Sequence, residues 1–335
     1  MREVRSSSLQ APPTQSSVII WITMGEHCPI RLVCILLSVL MFVTSLVFNG
    51  FAVVGLTPFQ RTTGDVSAMF DTQITPIGWT FNIWALIYTF LIGMNVYIVA
   101  GLCRTYGYVY CSPPVLPYGF FISWCINMGL NIGWLFLWDQ EDMLVALIFL
   151  IGVILTNYSM MAFSCHGLHV YGAWLNKYHK VDLWLLRILV QNGLGLYTTW
   201  TTIATLINLS IVLTYDANMT PLDAASVSYS LLTAVLFSWF ILENFVIEKH
   251  MRYILTVYPV VIWALLGNLV KNFDDTSPNR NGLFIAVLLA AACVMFVTRM
   301  VVVIWRSIKH PIYEDVNPDA MQPMEVAAKQ KTALR

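Results

Sequence analysis

Residues 117–138 read PYGFFISWCINMGLNIGWLFLW, 22 residues without one charged side chain. A helix rises about 1.5 Å per residue, so roughly 20 mostly apolar residues cross the hydrocarbon core of a bilayer. An open strand is excluded there, because hydrocarbon cannot satisfy unpaired backbone groups. Segments of the same kind recur at about 32–56, 80–102, 143–164, 185–214, 227–247, 251–271 and 283–307. The reading is an all-α polytopic membrane helix bundle of about eight transmembrane helices. The sixth and seventh are divided only by Glu248, Lys249 and His250, so a tight helical hairpin is expected there.

Composition agrees with that class. Of 335 residues, 58% are hydrophobic and 11% charged, against about 25% charged in an ordinary soluble domain. The formal net charge is zero. No basic surplus points to nucleic acid, and the lipid bilayer is the expected partner. The seven cysteines form no C-x-x-C pair and no zinc spacing. Cys165, His166 and His169 lie close together between the fourth and fifth spans. No carboxylate or further spaced ligand completes that set, so no metal is expected. No His falls inside a span, which argues against a bis-histidine haem. A nucleophile elbow, a P-loop and an H-E-x-x-H motif are all missing from the sequence, and no catalytic residue is assigned.

The ends read as tails. Residues 1–30 form a cytosolic N-terminal tail, in which Val18 to Ile22 is apolar enough to lie at the membrane interface. The apolar run after Arg31 is too long for the core of a cleavable signal, so it reads as the first span. Residues 310–335 are polar and without apolar periodicity, which reads as a disordered cytosolic tail. Tyr313-Glu314-Asp315-Val316 has the form of a tyrosine-plus-apolar sorting signal, and chance accounts for it as well.

Orientation follows from Lys and Arg, which gather on the cytosolic side of membrane proteins. Only Arg61, Lys271 and Arg280 fall on one side, and Arg299 lies inside the last span. The rest of the 18 basic residues share the other side with both tails. Both termini are therefore expected in the cytosol, with an even number of spans. The sequon Asn218-Met219-Thr220 then falls on the non-cytosolic face, although Pro221 and the short loop argue against its use. Glu243 and Arg299 lie at similar depth in the sixth and eighth spans. Opposite charges at equal depth suggest a structural ion pair, and separate snorkelling to the headgroups is the alternative.

Three spans carry stripes. In the third, Trp124, Asn127, Asn131, Trp134 and Trp138 fall at spacings of three and four, on one helical face. Phe81, Trp84, Tyr88 and Asn95 do the same in the second. Gly193, Tyr197, Trp200 and Asn208 do so in the fifth. Asn amides avoid lipid, so the stripes point inward. Aromatic planes with a few amides suit a flat, mostly apolar ligand. Helix packing glued by amides explains a single stripe equally well. It is the recurrence on three spans that brings a ligand site into contention.

On these stripes the sequence resembles the TspO/MBR family, the tryptophan-rich sensory proteins related to the translocator protein or peripheral benzodiazepine receptor. Pro76-Ile77-Gly78-Trp79 followed by Phe81, Trp84 and Tyr88 is similar to that family's entry into its second helix. Leu130-Asn131 with Trp134 is similar to its third-helix motif, and Tyr197, Trp200, Ala204 and Asn208 to its fifth. Trp263-Ala264-Leu265-Leu266-Gly267 resembles longer members with extra C-terminal helices. The resemblance implies a five-helix bundle over 31–214, followed here by a three-helix extension over 215–309. It implies a pocket covered by the loop at about 57–79, taking porphyrins, sterols or aromatic ligands. The site residues it carries over are Trp79, Trp84, Tyr88, Asn131, Trp134, Tyr197, Trp200 and Asn208. A tetrapyrrole or sterol as bound ligand and a homodimer are compatible with it. The family's cholesterol pattern fails after Tyr215. Looser matches occur at Leu168, Tyr171 and Lys177 and at Leu175, Tyr178 and Lys180.

The leading functional reading is a membrane protein binding a hydrophobic, planar small molecule for sensing or trafficking. The rival is a secondary transporter, which internal repeats would support, and none is visible. An enzyme acting on its bound lipid or tetrapyrrole is the third reading, without a catalytic set behind it.

Overall fold

The computed structural model describes residues 29–103, 114–273, 279–314 and 316. The interfacial patch Val18–Ile22 and most of the tail read over 310–335 lie outside these residues; within the described part of that tail, the Tyr313 hydroxyl accepts from Arg187 at 3.2 Å. Among the described residues every regular element is helical: α1 Pro29–Val54, α2 Thr63–Met69, α3 Gly78–Leu102, α4 Tyr118–Asp139, α5 Met143–Tyr178, α6 Lys180–Tyr215, α7 Pro221–Val246, α8 Glu248–Met251, α9 Val257–Asn272 and α10 Arg280–Lys309. By length and composition seven of them can cross a membrane: α1, α3, α4, α5, α6, α7 and α10. The remaining apolar helix, α9, has 16 residues, short of the roughly 20 a straight span needs, yet it carries the chain back to the end where Lys271 meets Asp71.

Side chains explain where helices start and stop. Asp142 caps α5 by accepting from Val145 N–H at 3.2 Å, and Asn279 caps α10 by accepting from Gly282 N–H at 2.7 Å. Thr220 caps α7 ahead of Pro221 at the first turn. On α10 one face is buried through Ile285, Leu288, Ala292 and Met295, while Val287, Val294, Val297 and Val301 are exposed. An apolar face this long is costly in water and at ease in lipid.

One expectation needs correcting. The stretch after about 164 is not a loop, because α5 and α6 run 36 residues each and break only at His179. Cys165, Leu168, Tyr171 and Leu175 stay buried at helical spacing, so packing sustains the helix through this more polar stretch. Leu168 and Tyr171 of the loose sterol pattern face inward, not towards lipid.

Five helices close into a ring: α1 packs on α4, α4 on α5, α5 on α6, α6 on α3, and α3 lightly back on α1. The extension is built on α6, which carries α7 and α9, with α10 packed against both.

The connection from α7 to α9 is not a plain hairpin. α7 ends in a π-helical turn over Leu242–Val246, and the chain is non-helical between α8 and α9. Backbone groups freed at this depth need partners. Asn192, in a π-helical turn of α6, donates to Tyr253 O at 2.8 Å and accepts from Leu255 N–H at 2.9 Å. Arg299 donates to Met251 O at 2.9 Å, Glu243 O at 3.2 Å and Asn244 Oδ1 at 3.0 Å. Its Nε stands 3.5 Å from Glu243 Oε2, with both side chains buried. Glu243 also accepts from Trp239 Nε1 at 3.1 Å and from the Tyr258 hydroxyl.

The segment between α1 and α3 is stitched to the extension. Tyr229 Oη donates to Gln73 O at 2.8 Å, Asn268 Nδ2 to Ile74 O at 2.5 Å and Trp263 Nε1 to Thr80 O at 2.8 Å. Gly267 permits this approach, since a Cβ there would collide with the Thr80 side chain. Gly267→Ala is therefore expected to cost ~1–3 kcal/mol through overpacking. Thr80→Ala in the same chain should recover part of that loss, as read by thermal unfolding in one detergent. Equal stability of Gly267→Ala and the unaltered protein would refute the close contact.

Candidate functional site

Stripes on α3, α4 and α6 meet inside the ring. Trp84 stacks on Tyr88 with ring centroids 5.7 Å apart, and meets Trp200 edge-on at 6.3 Å and Tyr197 at 6.4 Å. Phe81 meets Trp200 edge-on at 5.9 Å. These offset and edge contacts are the favoured aromatic geometries.

A polar tie crosses the ring beside this cluster. Tyr197 Oη donates to Asn127 Oδ1 at 3.0 Å, joining α6 to α4. The Asn127 amide lies 3.0 Å from Asn157 Oδ1, and Asn157 donates to Thr201 Oγ1 at 3.1 Å. Asn157 and Thr201 were missed as site residues. A lone amide within an apolar span was the available signal, and Asn157 registers in the sequence only as a sequon.

Helix direction places the other stripe residues relative to this tie. α4 ends at Asp139, which accepts from the Gln60 and Arg61 N–H groups at 3.0 Å, and Tyr215 at the end of α6 donates to Asp71 O at 3.2 Å. Asn131, Trp134 and Asn208 therefore lie on the α1–α3 loop side of the tie, and Trp200 stands level with it, between Tyr197 and Thr201. Asn131 Oδ1 accepts from Ser45 Oγ at 2.9 Å and from Asn49 Nδ2 at 2.8 Å, binding α4 to α1. Trp134 pairs with Trp138 at 5.4 Å, and Trp138 donates to Thr63 O at 3.2 Å, holding α2 over this end.

Several polar atoms here are unused. The indole nitrogens of Trp134 and Trp200 and both amide atoms of Asn208 are buried without a hydrogen-bond partner. A buried unsatisfied group costs ~1–3 kcal/mol. Trp84, Tyr88 and Trp134 are only half-buried. Trp79 stands apart: it is exposed and packs edge-on against Trp263 of α9 at 4.8 Å. It is not brought together with Trp84 and Trp200.

Away from the aromatic cluster, Cys165 is buried against Gln191, while His169 stacks on His250 of α8 at 4.3 Å. Burial and the nearby imidazoles of His169 and His166 hold His250 below its usual pKa. Among the described residues no three His, Cys, Asp or Glu side chains are placed to hold a metal ion.

The family model described as TSPO-like protein matches residues 35–304. That stretch takes in the three extra helices as well as the ring. No curated protein and no solved structure matches the chain.

Proposed function

Since the chain belongs to the TSPO-like protein family and is a multi-pass membrane protein of that type, we propose that it binds a hydrophobic, planar small molecule of porphyrin or sterol type in a chamber opening among the aromatic side chains inside the ring, for sensing or trafficking. One observation carries the reading: buried indole and amide groups of Trp134, Trp200 and Asn208 have no protein partner. A flat ligand with a few oxygen atoms satisfies such groups while its faces stack on the rings. Entry fits the thin seam between α1 and α3, where a molecule dissolved in the bilayer would arrive. The stitched loop would cover the chamber from above. Titration of the purified protein with protoporphyrin, haem and cholesterol, followed by tryptophan quenching or by competition, tests this. Saturable binding of at least one is expected, and no saturable binding of any would overturn the reading.

The orientation belongs to the same proposal. Arg61, Lys271 and Arg280 lie at the loop end, where Lys271 pairs with Asp71 at 2.5 Å and Arg280 with Asp223 at 2.6 Å. The charge rule places this end away from the cytosol. Protease-sensitive tags at the two termini should be cut together from the cytosolic side. Opposite sensitivity of the two tags would contradict it.

A further inference from the structure

A narrow cleft, open at its mouth and with a volume of about 50 Å³ open to the centre of a water-sized sphere, lies on the other side of α6 from that chamber, between α5, α6, α7 and α9. Two of its walls belong to the five-helix ring and two to the extension. Its lining is aliphatic over most of its area, through Met161, Ile203, Leu232 and Val261.

One buried polar group in the lining is unused. Along α6 the threonine hydroxyls turn back onto the helix: Thr199 donates to Gly195 O at 2.8 Å, Thr202 to Thr198 O at 2.8 Å and Thr205 to Thr201 O at 2.8 Å. Thr198 does not. Its hydroxyl has no hydrogen-bond partner, the residue is only 6% exposed, and it lines the cleft. Hydrocarbon tails offer such a hydroxyl nothing, so an occupant with one oxygen atom gains over a plain acyl chain.

Charge narrows the class further. No Lys or Arg lines the cleft. Trp239 forms part of the wall with its N–H already given to Glu243 at 3.1 Å, so it offers a ring face, and the Arg299 behind it is already paired with Glu243. A phosphate or carboxylate head would find no counter-charge there.

We propose that this cleft is a second binding site, for an uncharged lipid whose single hydroxyl or carbonyl oxygen pairs with Thr198. The site is independent of the chamber inside the ring and stands whether or not that chamber takes a planar ligand. The test uses the full-length protein in lipid nanodiscs, with three photoreactive diazirine probes: a C16 alcohol, the matching fatty acid and a phosphatidylcholine. Cross-linked peptides are mapped by mass spectrometry. The alcohol is expected to label the peptides holding Thr198 and Leu232 several-fold more than the acid or the phosphatidylcholine. Thr198→Val should reduce alcohol labelling about tenfold, a change of ~1.4 kcal/mol, and Thr198→Ser should retain it. Val235→Trp, at the exposed mouth, should block labelling without touching the hydroxyl and serves if Thr198→Val does not fold. Labelling by phosphatidylcholine equal to that by the alcohol would show an ordinary lipid-facing groove and overturn the proposal. So would alcohol labelling unchanged in Thr198→Val, or in Val235→Trp.

Discussion

Arg299→Met is expected to be the most damaging single substitution in the extension, at ~3–5 kcal/mol, the usual cost of stranding one member of a buried ion pair. The loss has two parts. Glu243 keeps a buried carboxylate with only Trp239 and Tyr258 as partners. The acceptors at Glu243 O, Asn244 Oδ1 and Met251 O lose their donor where the helix is broken. Glu243→Gln should be milder, because an amide oxygen still accepts from Trp239 and Tyr258. The double variant should fall between the two: it removes the stranded charge but leaves the backbone acceptors unsatisfied. Thermal unfolding of all three in one detergent decides this. Additive losses, with the double variant worst, would show that the two charges do not act as a pair.

Trp200→Ala is expected to weaken binding of a planar ligand about tenfold or more, equivalent to ~1.4 kcal/mol. Trp200 contributes both a ring packed against Phe81 and Trp84 and an unused buried N–H. Trp134→Ala should act in the same direction from the α4 side. Trp305→Ala removes an exposed indole on α10 and should leave affinity unchanged. Because Trp200 is buried, Trp200→Phe separates the two contributions: it keeps an aromatic face and loses the N–H. An intermediate affinity for Trp200→Phe supports both roles. Equal affinity in Trp134→Ala, Trp200→Ala and the unaltered protein would leave these rings as packing alone.

Hydropathy and spacing made much of this architecture legible, and the limits are physical. The apolar run 117–138 becomes α4, and the spacing of Asn127, Asn131 and Trp134 turns them inward, since amides seek partners away from lipid. The family and its extra helices were readable from short motifs, and the family match over 35–304 covers both parts. Hydropathy failed where packing, not lipid, holds a helix. Residues 165–178 look polar enough for a loop, yet their inward face keeps α5 going. It also failed at α9, expected from about 251 after a tight hairpin, which starts at Val257 because the chain before it is non-helical and held by Asn192. The site was legible in part. The inner faces of α3, α4 and α6 came from periodicity, whereas the cross-ring tie to Asn157 depends on which helices neighbour each other. Trp79 carries the motif but packs on α9, because the extension draws the α1–α3 loop towards itself through Asn268, Tyr229 and Trp263. Nothing in periodicity marks Thr198 either, since its distinction is a hydrogen bond it does not make.

The stitching gives the extension a role in the account: it fixes the loop that would cover the chamber. The central claim is that a planar ligand sits inside the ring beneath that loop. The most direct measurement is cross-linking by a photoreactive protoporphyrin bound at saturation, with adducts located by mass spectrometry. The account predicts adducts on the α3, α4 and α6 segments holding Trp84, Trp134 and Trp200, lost when unlabelled protoporphyrin competes. Adducts confined to the cleft walls on α7 and α9, or to the exposed face of α10, would contradict it.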